Sequence, residues 1–333
     1  MPTPSSPRLE VAAWILAGLL LLLTLLLHLL PALLAGLLVF ELVHVIAPRL
    51  RLGKRGKVAA VAILATAIVA ALSLALFGAV SFFRSDAGSL TALLQKMAEI
   101  IDGSRSHLPG WVLQYLPTDA EELRQALTDW LREHAGEVQL LGKEAGRLSA
   151  HLLIGMIIGA MVSLREAQPS RHGAPLARAL GQRAALLGDG FRRIVFAQVR
   201  IAAINTAFTA IYLGVALPLL GVHLPFAKSL ILITFVAGLL PVIGNLLSNT
   251  IIVVVSLSAS LAVAIASLAF LVVIHKLEYF LNARIVGSQI RASAWELLLA
   301  MLVMESAFGL AGLVAAPVYY AYLKEELSAR ALI

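Results

Sequence analysis

The side chains with the clearest chemical demand lie in FVAGLLPVIGNLLSN, Phe235 to Asn249. Pro241, Gly244, Asn245, Ser248 and Asn249 crowd into it, although the surrounding stretch 229–275 holds no charged residue. Proline removes a backbone donor, and in hydrocarbon every amide and hydroxyl needs a partner. Two readings fit. A broken helix exposes carbonyls and amides that replace the hydration of a polar solute or a cation, as discontinuous helices do in secondary transporters. Alternatively Pro241 kinks a helix whose freed groups bond to neighbours, the asparagines then serving as interhelical hydrogen bonds of about 1 kcal/mol each. The density of polar side chains favours the first.

Glu305 is the second candidate, alone in the otherwise charge-free window 297–323. An ionisable group deep in an apolar segment costs about 3 kcal/mol or more, so it faces a cavity or a partner and can carry a proton through a transport cycle. The alternative is a half-helix over 297–308 that sets Glu305 at an interface, which the breaker-rich FGLAGLVAAP after it supports. Glu278 and Asn282 share a helix face, with Lys276 and Arg284 nearby, and form either a gating ion pair or a solvated helix end. Glu41 and His44 also share a face, as an interfacial anchor, and His28 and His151 read as neutral imidazoles bonded across helices. Gly155 and Gly159 form a GxxxG on a helix over 148–164, a face for close helix packing. Gly309, Gly312 and Pro317 let helices approach or turn.

His28 and His151 have no second His or carboxylate at ligand spacing, there is no cysteine, and GxxxxGK[ST], HExxH and GxSxG are all missing. The expectation is therefore no metal, no cofactor and no enzyme.

The elements that hold these residues follow from composition. The 333 residues are 60% hydrophobic and 14% charged, with a mean hydropathy of +0.92, where soluble domains are about 25% charged. That predicts an all-α polytopic membrane protein. Charge-free windows at 11–40, 58–83, 148–164, 201–227 and 229–275, with 297–323, give about seven to eight membrane segments, one broken or re-entrant. The first window is too long for one span and is expected to break at Pro31, into helices near 11–30 and 32–47; it reads as a retained span, not a cleaved signal. Between 84 and 147 the periodicity becomes amphipathic, one helix starting near Ser89 and a second at Thr118, which has capping-box spacing to Glu121. The second could run on into the span at Leu148. The predicted organisation is 1–83, N-terminal membrane helices; 84–147, a helical extracytoplasmic domain; and 148–333, a C-terminal membrane domain.

The net charge of +7 is concentrated in short loops beside apolar runs, where it orients spans and does not describe a nucleic-acid surface. Loops 48–57 and 165–200 are basic and place the N-terminus in the cytoplasm. If 201–227, 227–247, 250–274 and 297–322 were four complete spans, Lys276, Arg284 and Arg291 would fall outside, against the rule. A re-entrant turn in 229–275 removes the objection; so does the small number of bases involved.

From Phe191 onward, the order and spacing of LGVALPLLGVHLPFA, FVAGLLPVIGNLLSN, LEYFLNARIVGSQI and AFGLAGLVAAPVYYAYLKEEL resemble the autoinducer-2 exporter family of bacterial membrane permeases. More weakly, the paired N-terminal helices and helical insert fit it too. The resemblance implies a secondary transporter or exporter of a small polar solute, with the quorum-sensing signal autoinducer-2 as one candidate. It further implies a homo-oligomer in the bacterial inner membrane, coupled to H+ or Na+ or driven by the solute gradient. The family is mixed, and some members look like sodium or proton antiporters. Asn245 stands where many members carry a second proline, and Ala283 where a proline commonly precedes Arg284, Ile285, Val286 and Gly287; these departures bear on the transported species. Two alternatives stand beside export: a cation/proton antiporter, and a non-transporting scaffold that binds a partner through 84–147.

Overall fold

The computed structural model describes residues 7–84, 120–165, 174–239, 243–257, 259–290 and 292–332, and among them every regular element is helical. The helix expected near Ser89 and the cap at Thr118 lie outside the described residues. Helices α1 (Pro7–Leu26) and α2 (Leu30–Arg49) come from the first apolar window. They separate at His28, three residues before the expected break. His28 takes a left-handed backbone, φ 55°, and the amides of His28 and Leu29 close back on Leu25 and Thr24, the two-bond ending that usually recruits glycine. Pro31 instead sits in the first turn of α2, where a missing N–H costs nothing. His28 is thus an exposed turn residue and not a cross-helix imidazole.

Next come α3 (Gly56–Arg84), α4 (Ala120–Glu133) and α5 (Ala135–Arg165). A single turn at His134 separates α4 from α5, and α5 then runs unbroken into the apolar stretch that begins at Leu148. Helix α6 (Pro175–Ile211) passes through a wide π turn, Tyr212–Ala216, into a last turn, Leu217–Leu219. Pro218 has no N–H for the carbonyl four residues back and its ring needs room, and a widened turn supplies both.

The run 229–275, which reads either as parts of two complete spans or as holding a re-entrant turn, falls among α7 (Ala227–Gly238), α8 (Ile243–Leu257) and α9 (Leu261–Ile290). Helices α7 and α8 pack on one another. At 1.5 Å per residue they are about 18 and 22 Å long, short of a hydrocarbon core of about 30 Å. They form a hairpin.

Helix α10 (Ala294–Ser328) ends the chain. Five segments are long and apolar enough to cross a membrane: Arg8–Leu26, Leu30–Arg49, Ala135–Arg165, Pro175–Leu219 and Trp295–Ser328; shorter apolar helices accompany them. The last of the five is not straight. At Gly309 the backbone turns to φ 59°, ψ −141°, a region essentially confined to glycine. Glu296 accepts hydrogen bonds from Tyr320 and Lys324, residues that in a straight helix would lie about 36 and 42 Å away. So 294–308 and 310–328 are the two arms of a second hairpin. Gly312 passes the Met304 carbonyl so closely that a Cβ would collide with it; Pro317 is buried within the second arm.

The chain divides into two compact units, Met1–Val69 with Lys143–Ala197 and Ala283–Ile333, and Ala70–Gly142 with Gln198–Asn282. In the first, Val39, Val43 and Ala60 form one core cluster, and Leu25, Leu30 and Ala315 another, at the α1–α2 turn. Gly155 and Gly159 of α5 lie against the backbone of Ala32 and Gly36 of α2, leaving no space for a side chain. In the second, Leu213, Leu217, Leu224, Leu230, Ile252 and Leu271 make the core.

Candidate functional site

In the second unit, polar side chains collect where the α7–α8 hairpin turns against α6. Asn245 is 4% exposed and Ser248 1%, and both point from α8 into the packed interior with Gly244. Their position follows from the turn. Gly244 runs so close to the Ala237 carbonyl that any larger residue would clash, and this brings the first turn of α8 against the last turn of α7. Asn249 is half-buried beside them, Ile243 opens α8, and Pro241 lies outside the described residues.

Two side chains of α6, Gln198 and Asn205, bond to this turn, and Thr209 lies one helical turn beyond Asn205. Gln198, Asn205 and Thr209 are spaced to share one helix face. Gln198 donates to the Gly238 carbonyl at 2.7 Å, satisfying one of the acceptors that the end of α7 leaves open. Asn205 donates from Nδ2 to Asn245 Oδ1 at 3.0 Å. Thr209 is 1% exposed, and its hydroxyl has no hydrogen-bond partner. Ser248 donates to the Asn245 carbonyl at 3.2 Å. A buried hydroxyl without a partner costs about 1 to 3 kcal/mol, so Thr209 marks a place where a polar guest would be stabilised.

Charge is distributed unevenly. Among the described residues, the buried polar side chains of the second unit are all neutral: Asn205, Thr209, Thr234, Asn245, Ser248, Ser256 and Ser267. The buried charges Glu41, Arg183 and Glu326 belong to the first.

Residues 9–330 match the family model described as AI-2E family transporter. The chain belongs to the AI-2E transporter family. No curated protein and no solved structure matches it. As a member of that family the chain is a multi-pass membrane transporter.

Within this AI-2E transporter the remaining sequence candidates are dispersed. Glu305 lies on the first arm of α10, with its side chain exposed, and belongs to the first unit. Glu278, Asn282 and Arg284 follow one another along α9, but their side chains lie outside the described ones. Glu41 is buried, 3.9 Å from Arg192, while His44 hydrogen-bonds the Phe40 carbonyl through Nδ1 and meets Lys57 through Nε2. No group of three or more His, Asp or Glu that could hold a metal occurs among the described residues.

Sequence reasoning missed Gln198, Asn205 and Thr209, because their only signal was a polar face on a helix otherwise read as one span. It also missed the acids that close the chain. In YLKEEL, Glu325 pairs with Arg193 and Glu326 lies 3.3 Å from the buried Arg183. Glu326 also accepts from Trp14 Nε1 at 2.5 Å, so α1, α6 and the second arm of α10 meet at one carboxylate.

Proposed function

We propose that this AI-2E transporter exports a small, uncharged, hydroxylated solute along the face of α6 that meets the α7–α8 turn, with autoinducer-2 as the first substrate to test. The reading is carried by one observation: the buried Asn205–Asn245 bond and, one turn along α6, the partnerless Thr209 hydroxyl are buried among side chains without formal charge. Neutral amides and hydroxyls match the donors and acceptors of a sugar-like solute. In an alternating-access cycle Asn205 and Asn245 exchange their mutual bond for bonds to the solute, and Thr209 gains the partner it lacks.

Proteoliposomes loaded with autoinducer-2 test this. Asn245→Ala, Asn205→Ala and Thr209→Val should each slow efflux about five- to tenfold, the effect of one hydrogen bond of about 1 to 1.5 kcal/mol. Wild-type flux in all three variants would remove these residues from the path. Cation/proton antiport makes a different prediction: Glu305→Gln abolishes a pH-dependent cation flux while the Asn205 and Asn245 variants retain it.

A further inference from the structure

The two arms of α10 flank an open groove of about 490 Å³, within the range of small-molecule sites, about 300 to 1,000 Å³. Leu299, Ala300 and Val303 line one wall and Ala316 and Leu323 the other. The end away from the Gly309 turn is polar. There Glu296 accepts from Tyr320 and, at 2.6 Å, from Lys324, and Trp295 adds an indole N–H. We infer that this groove holds one acyl chain of a bilayer phosphatidylethanolamine, its headgroup seated at Glu296, Lys324 and Trp295.

Three features point to that occupant. The apolar length from Trp295 to Met304 is about 13 Å at 1.5 Å per residue, room for a good part of an acyl chain. The polar end carries one carboxylate and one ammonium, complementary to a headgroup that has both an ammonium and a phosphate. Lys324 has three N–H donors and uses one on Glu296, leaving others for phosphate, and a tryptophan at such an end is the usual anchor at the membrane interface. Choline has no N–H to offer Glu296, and phosphatidylglycerol has no cation.

The test is native mass spectrometry of the full chain, purified from bilayers containing equal amounts of phosphatidylethanolamine, phosphatidylglycerol and phosphatidylcholine. One phosphatidylethanolamine per chain should be retained about fivefold over the other two, the ratio given by one hydrogen bond of about 1 kcal/mol. Leu299→Trp and Val303→Trp fill the groove from positions that are 53% and 57% exposed, so folding is preserved, and both should abolish the adduct at an unchanged melting temperature. Glu296→Gln with Lys324→Gln should keep an adduct but lose the headgroup preference. Equal retention of the three lipids, or an adduct that survives Leu299→Trp, would overturn the inference. So would loss of subunit association in Leu299→Trp, which would show that a second copy of the chain fills the groove.

Discussion

Replacing Arg183 by methionine should destabilise the protein more than replacing Arg183 and Glu326 together. The side chains are 4% and 10% exposed and approach to 3.3 Å. They are close enough for ionic attraction but lack hydrogen-bond alignment, since Arg183 Nε and Nη2 and Glu326 Oε2 are buried without hydrogen-bond partners. Charges so placed cost several kcal/mol in lost hydration, and each is tolerated because of the other. Removing Arg183 alone strands a buried carboxylate near the end of a helix, where the dipole also opposes negative charge; the expected loss is about 3 to 5 kcal/mol. Removing both strands only the Trp14 indole N–H, which donates to Glu326, a loss of about 1 to 3 kcal/mol. Thermal unfolding in detergent of wild type, Arg183→Met, Glu326→Met and the double variant gives the coupling directly. The expected order of melting temperature is wild type, double variant, then both singles. A double variant that loses the sum of the singles would refute the argument, because the two charges would then act independently.

Gly159→Leu should force α2 and α5 apart, since no space exists against Gly36; a loss of several kcal/mol in thermal unfolding is expected, in line with overpacking at about 1 to 3 kcal/mol and more where backbone must move. Gly309→Ala should cost about 1 to 3 kcal/mol because its backbone region admits essentially glycine alone, whereas Gly18→Ala, with nothing near its position in α1, should stabilise by up to about 1 kcal/mol; the two melting temperatures should move in opposite directions. Tyr319→Phe removes the hydroxyl contact with Thr24 at 2.6 Å and the bond to the Leu21 carbonyl, and should lower stability by about 1 kcal/mol without changing transport.

That two separate helices, α7 and α8, divide the run 229–275 was legible because proline, glycine and two asparagines have no reason to cluster in a plain apolar helix. The partner of Asn245 was not, because the Asn205–Asn245 contact joins residues distant in sequence and one chain gives no register for it. Pro31 misled the N-terminal boundary: proline is as comfortable in a first turn as it is disruptive inside a helix, and the chain used His28 for the turn. In window 297–323 the half-helix ending before FGLAGLVAAP was legible from its breakers, but the reversal was not, because hydropathy is blind to direction and Gly309 sits among other glycines. Arg183 read as one more orienting charge; its burial depends on a carboxylate at the far end of the chain.

The reversal at Gly309 also fixes a parity. A hairpin delivers the chain to the face of the bilayer from which it set out, however deep its tip reaches, and the Glu296–Lys324 bond holds its two ends side by side. The C-terminal Arg330 is therefore on the same face as the start of α10. The hairpin then counts as an even number of passes, where hydropathy alone would assign Trp295–Ser328 a single one.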